Sequence, residues 1–217
     1  TADFDLPLVH YLKHPDTSPN GDLVLKASMQ VFAQGRIRTA RGLADKYLPA
    51  RLRHTMAALD ANIAQLSQRT DHWEAAINRY LEFYDLAPLT LRPADDLLGQ
   101  LHCGSLPKIT TGPTISVIMP VWNAEKTVAT AINSILEQTW QPLEIIAIDD
   151  ASTDNSWSIL KMIAARDDRV KLLRNTHNVG PYVSKNLGLS IATGAYITGH
   201  DADDWAHPER LAAHMRI

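Results

Sequence analysis

The sequence has a single cysteine, Cys103, in 217 residues, so no internal disulfide can brace the fold. That fits a reducing compartment. No apolar run approaches the ~20 residues that a membrane-spanning helix needs, and the opening TADFDLPLVH lacks the basic-then-apolar layout of a secretory signal. Positive charge is not in surplus either. Lys and Arg number 21 against 24 Asp and Glu, a net charge of −3, which argues against binding a nucleic-acid backbone. The nine histidines are scattered, with no His/Cys grouping at zinc-ligand spacing. These absences predict a cytoplasmic protein without a transmembrane segment, with peripheral membrane association left open. The chain begins at Thr1 rather than Met, as an excised piece would.

What is present has two grammars. Residues 22–101 read as helix throughout. In ARLRHTMAALDANIAQLSQ, the apolar positions Leu52, Met56, Leu59, Ile63 and Leu66 recur at helical spacing. The stretch DHWEAAINRYLEFYDLAP repeats the pattern through Trp73, Ile77, Tyr80, Leu81 and Tyr84, with Asp71 as N-cap and Pro88 as stop. The spacing of Trp73, Ala76, Tyr80, Leu86 and Pro88 resembles one tetratricopeptide unit, but a solenoid needs about three. A small helical bundle over residues 1–103 is the expectation. Residues 104–113, GSLPKITTGP, read as a linker.

From residue 114 to 217 strands and helices alternate: TISVIMPVW, a helix capped by Asn123, LEIIAI, a helix behind Asp154, VKLLRN, a helix from Pro181 that ends at Gly194, AYITGH, and a last helix near Pro208. The fold class is therefore α/β, a parallel, doubly wound sheet with helices on both faces, preceded by a small all-α domain. Ligands of such sheets bind beyond the carboxyl ends of the strands. The chemically pointed residues fall there: Pro120-Val121-Trp122-Asn123, Asp149-Asp150-Ala151-Ser152, Asn178-Val179-Gly180-Pro181 and Asp201-Ala202-Asp203-Asp204. An aromatic can stack on a base, and a carboxylate can accept an imide N–H such as that of uracil. Two Asp at i and i+2 offer hard oxygen ligands to Mg²⁺ or Mn²⁺, which would bridge two phosphates. Lys185 is the best-placed cation for a phosphate. Singly, each residue has an ordinary alternative: Trp122 in a core, Lys185 on a surface, Glu125 at a helix start. Their order and topology together carry the reading.

The segments SVIMPVWNAEKTVATAINSILEQTWQPLEIIAIDDASTDNS and NVGPYVSKNLGLSIATGAYITGHDADDWAHPERL resemble family 2 glycosyltransferases, with that family's Asn-x-Gly, Lys-Asn-x-Gly and Asp-x-Asp-Asp elements. The resemblance runs from Ile115 onward. It implies a GT-A fold, here without its acceptor half, and transfer of a sugar from a nucleoside-diphosphate donor, a UDP-sugar above all, to a polysaccharide or glycoconjugate with inversion. It sets Trp122 against the base, Pro120, Asn123 and Glu125 around that pocket, and Asp150 on uracil. Asp203 becomes the principal metal ligand, with Asp201 beside it on the metal and the donor diphosphate or sugar. Ser152, Gly180, Lys185 and Ala202 complete the donor-site candidates. The sequence departs from the pattern at Lys185, where Arg is common, at Ala195 for a frequent Glu, and at His200 for an apolar residue. The family's general base lies well downstream of the acidic motif, so no catalytic residue is named. The piece by itself is expected to be inactive, and an exposed sheet edge predicts self-association. Other classes fit less well. A dinucleotide oxidoreductase needs a Gly-rich turn where MPVWNAEK stands. The non-catalytic alternative is a nucleotide-binding or helical dimerisation module.

Overall fold

The structure is a computed structural model that describes residues 21–94 and 97–216, so residues 1–20 of the expected helical domain lie outside the described residues. The chain divides into two compact units, Thr1–Leu89 and Thr90–Ile217.

The first unit holds helices α1 (Gly21–Ala33), α2 (Ile37–Tyr47), α3 (Thr55–Leu66) and α4 (Thr70–Phe83), with a 3₁₀ turn at Ala50–Leu52. Three of the helices end alike. Gly35, Gln68 and Asp85 take left-handed backbone, and the next N–H returns five residues: Arg36 to Val31, Arg69 to Ala64, Leu86 to Leu81. Such caps satisfy carbonyls that a helix end leaves open. The buried face differs from the expected one. On α3 it is Ala57, Leu59, Ala61 and Ala64, while Leu66 is exposed. Small residues win because Ala40, Ala44 and Ala76 are buried too, which lets helix backbones approach closely. Asp71 is not the cap of α4, which starts one residue earlier without a side-chain cap. Asp60 pairs with both Arg41 and Arg79, which ties α3 to α2 and α4.

Helix does not continue to residue 101. Strand β1 (Leu89–Leu91) falls inside that stretch and β2 (Leu101–Cys103) begins at its last residue, with the single-turn helix α5 (Leu97–Gln100) between them. Pro88 and Pro93 bracket β1, and each removes a donor that a helix would need. Residues 104–113 are held to the second unit. Ile109 accepts from Gln141 N–H at 2.8 Å and donates to the Thr139 carbonyl at 2.7 Å, while Lys108 Nζ donates to the carbonyls of Glu137 and Gln138.

The second unit then runs β3 (Ile115–Val121), α6 (Val128–Leu136), β4 (Leu143–Asp149), α7 (Ser156–Ala164), β5 (Val170–Arg174), α8 (Pro181–Leu189), β6 (Tyr196–Gly199) and α9 (Arg210–His214). The four strands lie in the order β5-β4-β3-β6, all parallel, as the alternating pattern predicts. Alternate residues of the central strands enter two cores. Val117, Met119, Val121, Ile145 and Ala147 pack with Ile132, Ile135 and Leu160 of α6 and α7. Ile118, Ile146 and Ile148 form the other core, on the face where Gly188 of α8 comes so close that a Cβ would strike Ile118 and Ile148. Both faces are covered, so both strands read as apolar runs, broken only by Ser116 near the start of β3 and by Glu144 and the terminal Asp149 in β4.

Register sets the height of the rim. Val121 lies opposite Asp149 and Asp149 opposite Arg174, so three loops leave the sheet level with one another. Gly199 lies opposite Ile118, so two more residues bring Asp201 level with Pro120. Gly194 is not the cap of α8, which closes at Ser190. It is needed for close approach: a Cβ there would meet Ser116 N at 2.6 Å and Thr114 O at 2.8 Å.

Candidate functional site

The loops after β3 and β4 clasp each other. Asn123 Oδ1 accepts the Thr153 N–H at 2.9 Å, and Ser152 Oγ accepts the Asn123 N–H at 3.0 Å. One residue on, Ser156 Oγ takes the Ala124 N–H, and Asp154 takes the Glu125 N–H with one oxygen and the Ser156 N–H with the other. Glu125 Oε2 answers with bonds from Asn155 N and Nδ2, both 3.0 Å. Asn123 and Ala151 adopt left-handed backbone, φ 48° and 56°, to bring the loops into reach. For alanine that conformation costs about 1 kcal/mol. Asn123 therefore does not cap α6, which begins after Thr127. Its side chain serves the neighbouring loop. Glu125 and Ser152 point the same way: they brace the rim and do not line the cleft.

Asp150 sits at the centre, 2% exposed. Oδ1 accepts Asn175 Nδ2 at 2.7 Å and the Val179 N–H at 2.9 Å, and Oδ2 accepts the Gly180 N–H at 2.8 Å. Burial pushes its carboxyl up, but the bonds from Val179, Asn175, Gly180 and Ser184 together outweigh that and hold it below the usual carboxylate range. Gly180 reaches Asp150 with φ +86°, a conformation that Gly adopts without strain, and opens α8 directly ahead of Pro181. Asn175 also donates to Ser184 Oγ at 2.9 Å, so one amide locks β5, Asp150 and α8 together. Sequence reasoning passed over Asn175, because an Asn after a strand reads as an ordinary turn residue.

Above this floor opens a cleft of about 790 Å³. Pro120, Trp122, Asn123, Asp150, Gly180, Lys185, Asp201, Ala202 and Asp203 all line it, so four strand ends meet as expected. Trp122 is 58% exposed, which excludes the core alternative. Tyr182, in the first turn of α8, lines the same cleft at 83% exposure, a second aromatic that sequence reasoning missed. Lys185 Nζ lies 3.1 Å from Asp201 Oδ1.

The acidic turn is held from behind. His200 N–H makes the last sheet bond, to Ile118 O, and Asp204 N–H closes on Asp201 O. Arg210 reaches back from α9 to Gly199 O at 2.8 Å, Thr198 Oγ1 at 3.2 Å and His200 Nδ1 at 3.1 Å. Arg can only donate, so Nδ1 accepts and the proton sits on Nε2. Burial and the Arg210 charge both push the His200 imidazole down, outweighing Asp204 and Asp201. Beyond the turn, the fully buried Gln138 donates to His207 O and accepts from Leu211 N–H.

Among the described residues no group of three or more His, Cys, Asp or Glu converges as a metal cage. Asp201 and Asp203 are exposed on the cleft. Two exposed carboxylates, one of them paired with Lys185, fit a cation that completes its shell with waters and substrate phosphates, as Mg²⁺ characteristically does. Among the described residues no helix is long and apolar enough to cross a membrane.

The family model for glycosyl transferase family 2 matches residues 116–216. An uncharacterized glycosyltransferase of Haemophilus influenzae is 46% identical over 105 residues, 48% of this chain and 42% of that protein. The UDP-Glc:alpha-D-GlcNAc-diphosphoundecaprenol beta-1,3-glucosyltransferase WfaP of Escherichia coli is 36% identical over 91 residues, 42% of this chain and 36% of that protein. A crystal structure of S. aureus TarS 1–349 in complex with UDP-GlcNAc shares 29% identity over 48% of this chain and 30% of that one, with a TM-score of 0.44. The chain spans 42% and 36% of the length of these two curated relatives.

Proposed function

We propose that the intact protein, whose residues 116–216 match the family model for glycosyl transferase family 2, transfers a sugar from a nucleoside-diphosphate donor to a glycan or glycoconjugate acceptor, and that residues 114–217 hold the donor. The observation that supports this best is the cleft over four parallel strand ends, where Trp122, Asp150, Lys185, Asp201 and Asp203 meet. The donor is a UDP-sugar in this reading. The printed activity of the WfaP relative supports it, as does the chemistry of Asp150. A carboxylate held below the usual carboxylate range is an acceptor for an imide N–H.

Trp122 stacks on the base, with Tyr182 as a second aromatic wall. Lys185 meets the diphosphate. Asp203 and Asp201 hold a divalent cation, Mn²⁺ or Mg²⁺, which when bound neutralises charge on the departing diphosphate. Asn123, Glu125 and Ser152 act one step back, by fixing the loops that present Trp122 and Asp150. Transfer proceeds by direct displacement with inversion, and none of the described carboxylates is assigned as the base. In this reading the protein is cytoplasmic and peripheral to the membrane, and the lone buried Cys103 suits a reducing compartment.

Calorimetry of the intact protein with UDP and Mn²⁺ tests the reading. Binding should need both components, and Asp203→Ala should abolish the metal-dependent part. Equal UDP binding in the wild type, Asp203→Ala and Trp122→Ala would sink the site assignment. Binding without turnover on any UDP-sugar would favour a nucleotide-binding module instead.

A further inference from the structure

Lys185 is not waiting free for a phosphate. Its side chain is 37% exposed and its ammonium is paired with Asp201 Oδ1 at 3.1 Å, while the Asp201 side chain is 57% exposed on the cleft. The pair bridges α8 to the acidic turn, two elements otherwise fixed from behind by Asp150 and Arg210. Among the described residues no third metal-ligating side chain joins Asp201 and Asp203. A divalent cation arriving alone would thus meet two carboxylates, one of them already neutralised, and a positive charge beside them.

We infer that Lys185 is the resident counter-ion of Asp201 and makes metal entry conditional on the nucleotide. With the cleft empty, the ammonium holds the place of the cation at Asp201. When a diphosphate enters, Lys185 exchanges Asp201 for a phosphate oxygen, and Asp201 is released to the metal. The residue type suits the exchange, because lysine is a point charge on a flexible four-carbon stem and gives up no bidentate geometry on moving. The coupling is reciprocal: whatever nucleotide does for metal affinity, metal does for nucleotide affinity. This inference rests on the donor-site reading above, and it predicts an effect opposite to simple removal of a phosphate ligand.

The test is Mn²⁺ titration of the intact protein, followed by the paramagnetic resonance of free Mn²⁺, with and without UDP. Without UDP, Lys185→Met should bind Mn²⁺ about 1.4- to fivefold more tightly than the wild type, the range that an exposed ion pair allows. With UDP the gain should vanish, and UDP affinity should fall. Lys185→Arg keeps the charge and can grip Asp201 with two bonds, so without UDP it should bind Mn²⁺ no more tightly than the wild type. In an Asp201→Asn background, Lys185→Met should leave Mn²⁺ affinity unchanged, because the two residues act as one pair. Mn²⁺ affinity without UDP that is unchanged or still undetectable in Lys185→Met overturns the inference. So does a gain that persists in the Asp201→Asn background, since that marks a general field effect. Either result leaves the donor site standing if the wild type still binds Mn²⁺ and UDP together. Failure of the wild type to bind them together overturns both.

Discussion

The two ends of the parallel sheet each bury a carboxylate beneath donors from separate segments, yet they differ in what lies above. At the amino end, Glu144 accepts Ser116 Oγ at 2.5 Å, Thr193 N–H at 2.7 Å, Thr193 Oγ1 at 3.0 Å and the Lys171 ammonium at 2.5 Å. Both oxygens are taken and the cation sits on top. At the carboxyl end, Asp150 is wrapped as closely by Asn175, Val179 and Gly180, but the charged groups around it face an open cleft. A satisfied carboxylate under a cation serves the fold. A carboxylate beneath exposed Trp122, Asp201 and Asp203 and half-buried Lys185 serves a ligand in the proposed reading. Burial and hydrogen bonding alone do not separate the two, whereas the company each keeps does.

The largest effect should come from breaking the sealed end. Glu144→Ala leaves Ser116, Thr193 and Lys171 without their acceptor and should cost about 3 kcal/mol of stability, read as a lower melting temperature. The KM for donor in the folded fraction should not change. The same residue gives a pH signature. Burial pushes its carboxyl up, but Lys171, Ser116 and Thr193 outweigh that and bring it down to about 2, against about 4.3 for an ordinary glutamate. A lowered folded pKa stabilises above the unfolded value and fades as pH falls from there toward about 2. Acid titration of stability should therefore steepen below pH ~4 in the wild type and flatten in Glu144→Gln.

At the open end the sign of the comparison reverses. Asp203→Ala should lower metal-dependent turnover by at least about a hundredfold, while the melting temperature stays within the spread of surface substitutions. A large drop in melting temperature would instead assign Asp203 to the fold and dissolve the contrast between the two ends.

Asn175→Ala tests the seam between structure and site. It removes the bonds to Asp150 and Ser184 together, so stability should fall by about 1–2 kcal/mol and UDP affinity should weaken several-fold. Stability lost with affinity intact would make Asp150 a pure staple.

These residues also mark how far the sequence could be read. The buried strands were legible because apolar runs such as IAVLM-rich β3 and β4 fill both faces of the sheet, and strand ends locate a cleft in any such fold. Trp122, Asp201 and Asp203 were legible at those ends. What Asn123, Glu125 and Ser152 do was not, because their partners lie 29 or 30 positions away and depend on how the two loops dock. Glu144 reads as one polar residue in an apolar strand until Thr193, 49 positions on, closes over it. In residues 89–103, the elements are too short for either period to declare itself, and the helical reading ran on past two prolines.

The smallest effect, and the sharpest test of the comparison, belongs to Trp122. A tryptophan 58% exposed contributes little packing, so Trp122→Ala should leave stability within about 0.5 kcal/mol. Base stacking on an aromatic contributes about 1 kcal/mol or more, so UDP affinity should fall about fivefold or further. Tyr182→Ala in the same background separates the two aromatics. If they grip the same base from two sides, the losses combine to more than either alone. If Tyr182 instead faces another part of the donor, its loss should appear with a UDP-sugar and vanish with UDP. An unchanged UDP affinity in Trp122→Ala, at unchanged stability, would leave the open end with exposed charge but no nucleotide platform. The distinction between the two ends would then rest on the acidic turn alone.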